Sequence, residues 1–173
     1  DFEVVCSVVA WPRHKSELTG IPLDGPLYFV SAKNHGSYAV DFKGNYFQLK
    51  KNENPRNRLL YSLNTPKKTE EAFKYIKEKV GITEILQDSS MTKAFTISAG
   101  SGVAYLRLKY SSREHVWDIA PFELFVREVG GFASTIDGKP LQYSKDGKVN
   151  NSDTGLIFTS KDEDFHNKTV DAF

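Results

Sequence analysis

Four residues carry side chains that could serve a charged ligand, at the edges of recognisable elements: a hydroxyl and two cations for an anion, and a carboxylate for a cation or for capping a helix. Ser90 and Lys93 lie in SSMTK (89–93), Arg107 in AYLRL (104–108) and Asp118 in HVWDIAPFELFVREVGG (115–131). The first stretch places two hydroxyls and an ammonium at the start of a helix. It reads either as an ordinary capped helix with a solvated lysine or as an anion site. Arg107 sits among apolar neighbours, where strand alternation points it to the same face as Tyr105. A guanidinium in such surroundings needs a carboxylate or a phosphate. Asp118 stands at the head of an apolar helix. Its carboxylate suits the free N–H groups of a first turn, which are also where an anion would be met.

These positions imply the elements that hold them. Around Asp118, Ala120, Leu124 and Val129 fall along one face, and Phe122, Phe125 and Val126 widen it. Pro121 is expected in the first turn, Glu123 precedes Arg127 by four residues, and Gly130-Gly131 stop the helix. A second helix is expected over about 90–99. A third opens at Thr65-Pro66, with Thr65 as cap, and ends at Gly81. Strands are expected at 3–11 (ended by Pro12), 27–32, 37–42 and 46–50. KNHG and KGN supply the turns of an antiparallel meander. Further strands are expected at 58–63, 83–88 and 103–108, and within GFASTID and GLIFTS. Ser160 and Glu163 match a capping box for a last helix. Strands alternating with helices after a strand-rich start predict an α/β fold: a mixed sheet with flanking helices, in one domain over 1–173.

Composition narrows the functions. The 173 residues carry 23 basic and 22 acidic side chains, a net charge of +1. That balance argues against a nucleic-acid polymer or an anionic membrane surface as partner. No apolar run approaches a membrane span. The one cysteine, Cys6 in VVCSVV, is expected in the core, compatible with a reducing, intracellular setting. The four histidines show no metal-ligand spacing, and neither a nucleophilic triad nor a glycine-rich phosphate loop is present. GIPLDGP (20–26) reads as a turn. The single methionine, Met91, is internal, and we expect a processed product or one piece of a larger protein.

In order, GPLYFVSAKNHGSYA, SSMTKAF, GVAYLRL, WDIAPFELFVREVGG, DGKPLQYS and GLIFTS resemble the C-terminal half of the inositol monophosphatase superfamily. These are magnesium-dependent, lithium-sensitive phosphatases. The branch resembled is that of the 3′(2′),5′-bisphosphate nucleotidases. The resemblance implies half of a layered α/β/α/β sugar-phosphatase-like fold, with Mg2+ as cofactor. It assigns Asp118 as a metal ligand, and Ser90, Lys93 and Arg107 as holders of a small phosphorylated substrate. It implies no catalytic residue within this stretch. The remaining metal ligands, and the group that activates water, belong to the N-terminal half, which would act as partner. Arg107 stands where inositol monophosphatases look to carry a glutamate, which implies a second phosphate on the substrate. The sequence also departs from the family pattern. YSLNTPKK lacks the adenosine-contacting histidine, and Phe122 fills a usually small position and is expected to crowd the metal and phosphate. The rival expectation is a degenerate, non-catalytic assembly module.

Overall fold

The computed structural model describes residues 2–62, 69–88, 91–108 and 114–173. The first sheet is antiparallel, in the order β1 (Cys6–His14), β2 (Gly25–Ala32), β3 (Gly36–Asp41), β4 (Tyr46–Leu49). The meander follows the turn residues. Between β2 and β3 the chain reverses with Asn34 at φ 65° and Gly36 at φ 84°. The Glu128 carboxylate accepts the N–H groups of both, at 2.9 and 2.8 Å. A charge at the end of a helix thereby fixes the hairpin.

β1 corrects the sequence reading twice. The strand runs through Pro12 to His14, with an irregularity in register between Trp11 and His14. Proline cannot donate to a ladder, but β1 is an edge strand and pairs on one side only, so the missing N–H costs little there. Cys6 is exposed rather than in the core, because alternation turns it to the outer face with Val8. The polar stretch after β1 also folds a one-turn helix, α1 (Ser16–Thr19).

The second sheet is mixed, in the order β6 (Glu84–Asp88), β5 (Arg58–Ser62), β7 (Ala104–Leu108), β9 (Gly155–Thr159), β8 (Phe132–Thr135). β5, β6 and β7 are parallel, whereas β9 is antiparallel to both β7 and β8. Between the two sheets lie α3 (Thr92–Ser98) and α4 (Val116–Glu128). On the far face of the second sheet lie α2 (Glu70–Val80) and α5 (Glu163–Val170). Alternation along the strands divides the core accordingly. Leu60, Tyr105, Leu156 and Phe158 face the middle layer, while Leu59, Ala104, Leu106 and Ile157 face α2 and α5. Phe29 of the first sheet stacks on Phe95 of α3 at 3.7 Å between centroids, and Phe95 meets Phe125 of α4 edge-on at 5.2 Å.

Two helix starts differ from the sequence expectation. α4 begins at Val116, so Asp118 is its third residue and not its cap, and the capping position, His115, makes no side-chain cap bond. Pro121 consequently falls in the second turn rather than the first. α5 is capped by Asp162, whose carboxylate accepts the Phe165 N–H at 2.8 Å. Ser160 instead donates to the Gly102 carbonyl at 2.9 Å. α2 is described from Thr69 onward, and the expected Thr65 cap lies outside the described residues. Its stop at Gly81, at φ 75°, is as expected. At the end of α4, Gly131 is required by close approach: a Cβ there would lie 2.3 Å from the Thr159 carbonyl oxygen.

His166 of α5 pins that helix to the second sheet. Thr159 Oγ1 and Ser134 Oγ lie 2.9 Å from its two ring nitrogens, and the ring is buried. Burial, with the Arg127 charge adding to it, lowers its pKa to about 4. Between pH 6.5 and 4 the unfolded chain therefore binds more protons than the folded one. The stability present above pH 6.5 is lost across that window, by about 3 kcal/mol. Chemical denaturation of wild type and His166→Gln at pH 7 and pH 4.5 checks this. The gap between the two proteins should narrow at the lower pH, and a pH-independent gap would refute it.

Candidate functional site

Parallel strands deliver their C-terminal ends to one place, where ligands of open α/β sheets collect. Here Ser62 of β5 is paired with Asp88 of β6, and Arg107 lies near the end of β7. The site is built around Tyr105. Its ring stacks on Phe122 at 5.0 Å and 7°, and Phe122 stacks on Phe158 at 4.3 Å and 10°. Its hydroxyl lies 3.2 Å from Ser62 Oγ and feels the charge of Arg107. Burial raises the phenol pKa, so the group stays neutral and polar. The shared face that alternation assigns to Tyr105 and Arg107 is present.

Lys93 corrects the solvated-lysine reading. Every residue from Lys93 to Ser98 of α3 is buried, and Lys93 itself is 3% exposed. Its ammonium lies 5.0 Å from the Tyr105 ring centroid, where the ring quadrupole attracts a cation. Desolvation lowers its pKa to about 8. The Asp88 charge opposes that shift and Arg107 adds to it. Asp88 in turn accepts Thr92 Oγ1 at 2.7 Å and Thr96 Oγ1 at 3.5 Å, which fixes the carboxylate at the head of α3.

Arg107 finds its carboxylate in Glu114, with which it forms a salt bridge. Desolvation raises the Glu114 pKa against the pull of Arg107, and the Asp118 charge raises it further. Asp118 is thus electrically within reach of the Arg107–Glu114 pair while its own side chain is exposed. Beside it, exposed Trp117 stacks on His115 at 4.2 Å, and His115 Nε2 lies 2.8 Å from Lys148 Nζ.

Of the four residues singled out from the sequence, the fold brings Lys93, Arg107 and Asp118 into one electrostatic neighbourhood. Ser90 lies outside the described residues. Phe122, expected to crowd the metal and phosphate, lies in the core against Tyr105. It is 2% exposed and committed to the ring stack, because the packed sheet beneath α4 takes its side chain. Sequence reasoning missed Asp88, Tyr105 and Glu114. A signal existed for two of them: Asp88 ends a strand four residues before Thr92, and Glu114 precedes Asp118 by four.

Magnesium takes oxygen ligands and gives up its waters reluctantly. Asp118 offers one exposed carboxylate, but among the described residues no three carboxylate, histidine or cysteine side chains cluster to hold a metal. The described residues therefore do not make a magnesium site by themselves.

Two sheets with helices between and beyond them make a layered α/β, sugar-phosphatase-like fold. The sequence profile of the inositol monophosphatase family matches residues 3–170, and the chain belongs to that family. It is 33% identical over 144 residues to 3′,5′-bisphosphate nucleotidase 2 of Arabidopsis thaliana, covering 79% of this chain and 40% of that protein. It is 27% identical over 169 residues to a probable 3′(2′),5′-bisphosphate nucleotidase 4 of the same plant, covering 92% and 46%. Among solved structures, an inositol monophosphatase from Zymomonas mobilis superposes with a TM-score of 0.61 at 16% identity, over 84% of this chain and 52% of that one. CysQ from Bacteroides thetaiotaomicron, a bacterial member of the family, gives 0.59 at 16%, over 79% and 55%. The chain spans about half the length of the relatives it matches, or less. Among the described residues no helix is long and apolar enough to cross a membrane.

The Lys93 ammonium titrates at about 8 in the fold and at about 10.5 in the unfolded chain. Between those values the unfolded chain binds more protons, so Lys93 makes stability rise with pH by roughly 3 kcal/mol. Lys93→Met should remove that rise without lowering the melting temperature at pH 7. Urea titrations of both proteins at pH 7.5 and 10 check it, and two curves that shift in parallel would refute it.

Proposed function

We propose that this chain is the phosphate-holding part of a magnesium-dependent phosphomonoesterase whose substrate is a bisphosphorylated nucleotide or inositol phosphate. One observation carries the reading. A lysine buried at a cost in desolvation lies close enough to Arg107 for the two cations to repel, at the ends of three parallel strands. An anion seated between them relieves both the repulsion and the desolvation, and phosphate matches guanidinium and ammonium donors. The curated relatives, named as bisphosphate nucleotidases, support a substrate with two phosphates. In this reading Lys93 and Arg107, with Ser90, hold the phosphate that stays. Asp118 would supply one oxygen to a magnesium ion, whose other ligands would come from the N-terminal half. The bound metal supplies activation of water and charge neutralisation at the phosphate that leaves. Glu114 keeps Arg107 in place.

A partner segment is part of this proposal. The outer face of the first sheet presents Val8, Tyr28, Val30, Tyr38, Val40 and Tyr46, with no charge at the paired strand positions among them. Tyr46 is 72% exposed and Phe42, just past β3, 67%. Such a surface calls for a cover. The second reading, a non-catalytic assembly module, draws on the same apolar face, but it leaves the buried lysine without a reason.

Arg107→Ala should weaken binding of adenosine 3′,5′-bisphosphate about tenfold or more while changing adenosine 5′-monophosphate binding far less. Calorimetric titration of both nucleotides decides it, and equal losses would make Arg107 merely structural. Co-expression with the N-terminal half of the Arabidopsis nucleotidase should give a one-to-one complex that releases phosphate in magnesium, whereas the chain by itself releases none. Light scattering during size exclusion, with a phosphate assay on the same fractions, is the measurement. A monodisperse monomer that ignores the added half would favour the module.

A further inference from the structure

We infer that Glu114 is a positioning residue: it fixes the direction of the Arg107 guanidinium before any phosphate arrives. The inference rests on the reading of Lys93 and Arg107 as an anion site, and it adds a residue and a loop to that site. A guanidinium carries five N–H donors in one plane, so a carboxylate gripping one side sets where all of them point. Arginine otherwise has about 2 kcal/mol of rotamer freedom to lose on binding. With Glu114 gripping one side, that loss is incurred in folding instead.

The burial argues for this purpose. The Glu114 side chain is 9% exposed and that of Arg107 24%. A pair of charges so placed loses hydration that an apolar pair of the same volume would never need, so stability is a poor reason to keep it. The backbone of Glu114 is also clamped more firmly than a surface ion pair requires. Its N–H donates to Ser152 Oγ at 2.7 Å, and its carbonyl accepts the Val149 N–H at 2.9 Å. Ser152 Oγ in turn donates to the Val149 carbonyl at 2.9 Å. The neighbouring His115 bridges to Lys148 as an isolated β-pair. Residues 148–152, which by sequence are an unremarkable polar loop, therefore anchor Glu114. Direction passes from that loop to the carboxylate and from the carboxylate to the guanidinium.

The test uses the 173-residue chain with adenosine 3′,5′-bisphosphate as probe, in wild type, Glu114→Gln, Arg107→Ala and the double variant. Glutamine keeps the shape and removes the charge. Glu114→Gln should weaken binding about tenfold, the worth of one charge-assisted hydrogen bond. In the double variant it should add nothing to the loss from Arg107→Ala, because its effect runs through that side chain. The Arg107 Nε–H resonance, sharp and slow to exchange in the wild type without ligand, should broaden and exchange faster in Glu114→Gln. A purely structural role would not produce that combination. Should Glu114→Gln fold poorly, Ser152→Ala loosens the clamp only and should move the same resonance in the same direction. Wild-type affinity in Glu114→Gln with an unchanged Arg107 resonance overturns the inference while leaving the anion site standing, provided Arg107→Ala binds weakly. Normal binding by Arg107→Ala overturns both.

Discussion

The Tyr105 ring is the constraint on which both core and site depend. Its plane joins Phe122 and Phe158 in the layer between α4 and the second sheet, so its position is set by apolar packing. Its polar end reaches Ser62 and Arg107, and its π face receives Lys93. A phenol serves where phenylalanine would not, because one edge must be dry and the other must meet a donor. Packing density in the middle layer is thereby converted into placement of two cations. A void beneath the ring would be felt first as looseness in the site and only afterwards as lost stability.

The sequence disclosed the parts that depend on local rules. Alternation and turn residues located the meander, since Asn34 and Gly36 adopt the positive φ that few other residues tolerate. The apolar face of α4 and its Gly-Gly stop were legible for the same reason. Gly131 proved to be required by contact with Thr159, a residue distant in sequence. What escaped reading was decided by neighbours. Proline passes for a strand end unless the strand is known to be an edge. Cys6 resembles a core residue until the outer face of its sheet is known. Lys93 resembles a solvated lysine unless the packing of α3 between two sheets is in view. Asp118 and Ser160 both suggested caps, and the registers of α4 and α5 moved that role to other positions.

The pairing of charges around the site was equally out of reach. Arg107 demanded a partner, and the type of partner was foreseeable, but its identity was not. Glu114 is seven residues on, and its backbone is held by Val149 and Ser152, distant in sequence. Such a contact depends on residues far apart in sequence, and no periodicity encodes it. The family resemblance held because it rests on the order of many short motifs rather than on the geometry of any one.

The buried ammonium of Lys93 has a consequence for how this protein changes over evolutionary time. Under the proposed anion site, its desolvation weakens the empty fold and strengthens attraction for an anion, so one free-energy term enters both with opposite sign. Substitutions that relieve it, by admitting water or replacing the charge, are favoured by selection for stability and opposed by selection for the ligand. Where an anion is abundant the conflict is softened, since occupancy stabilises the folded chain by mass action. Under that proposal the abundance of phosphorylated small molecules becomes part of the conditions that set how much sequence drift this fold can absorb.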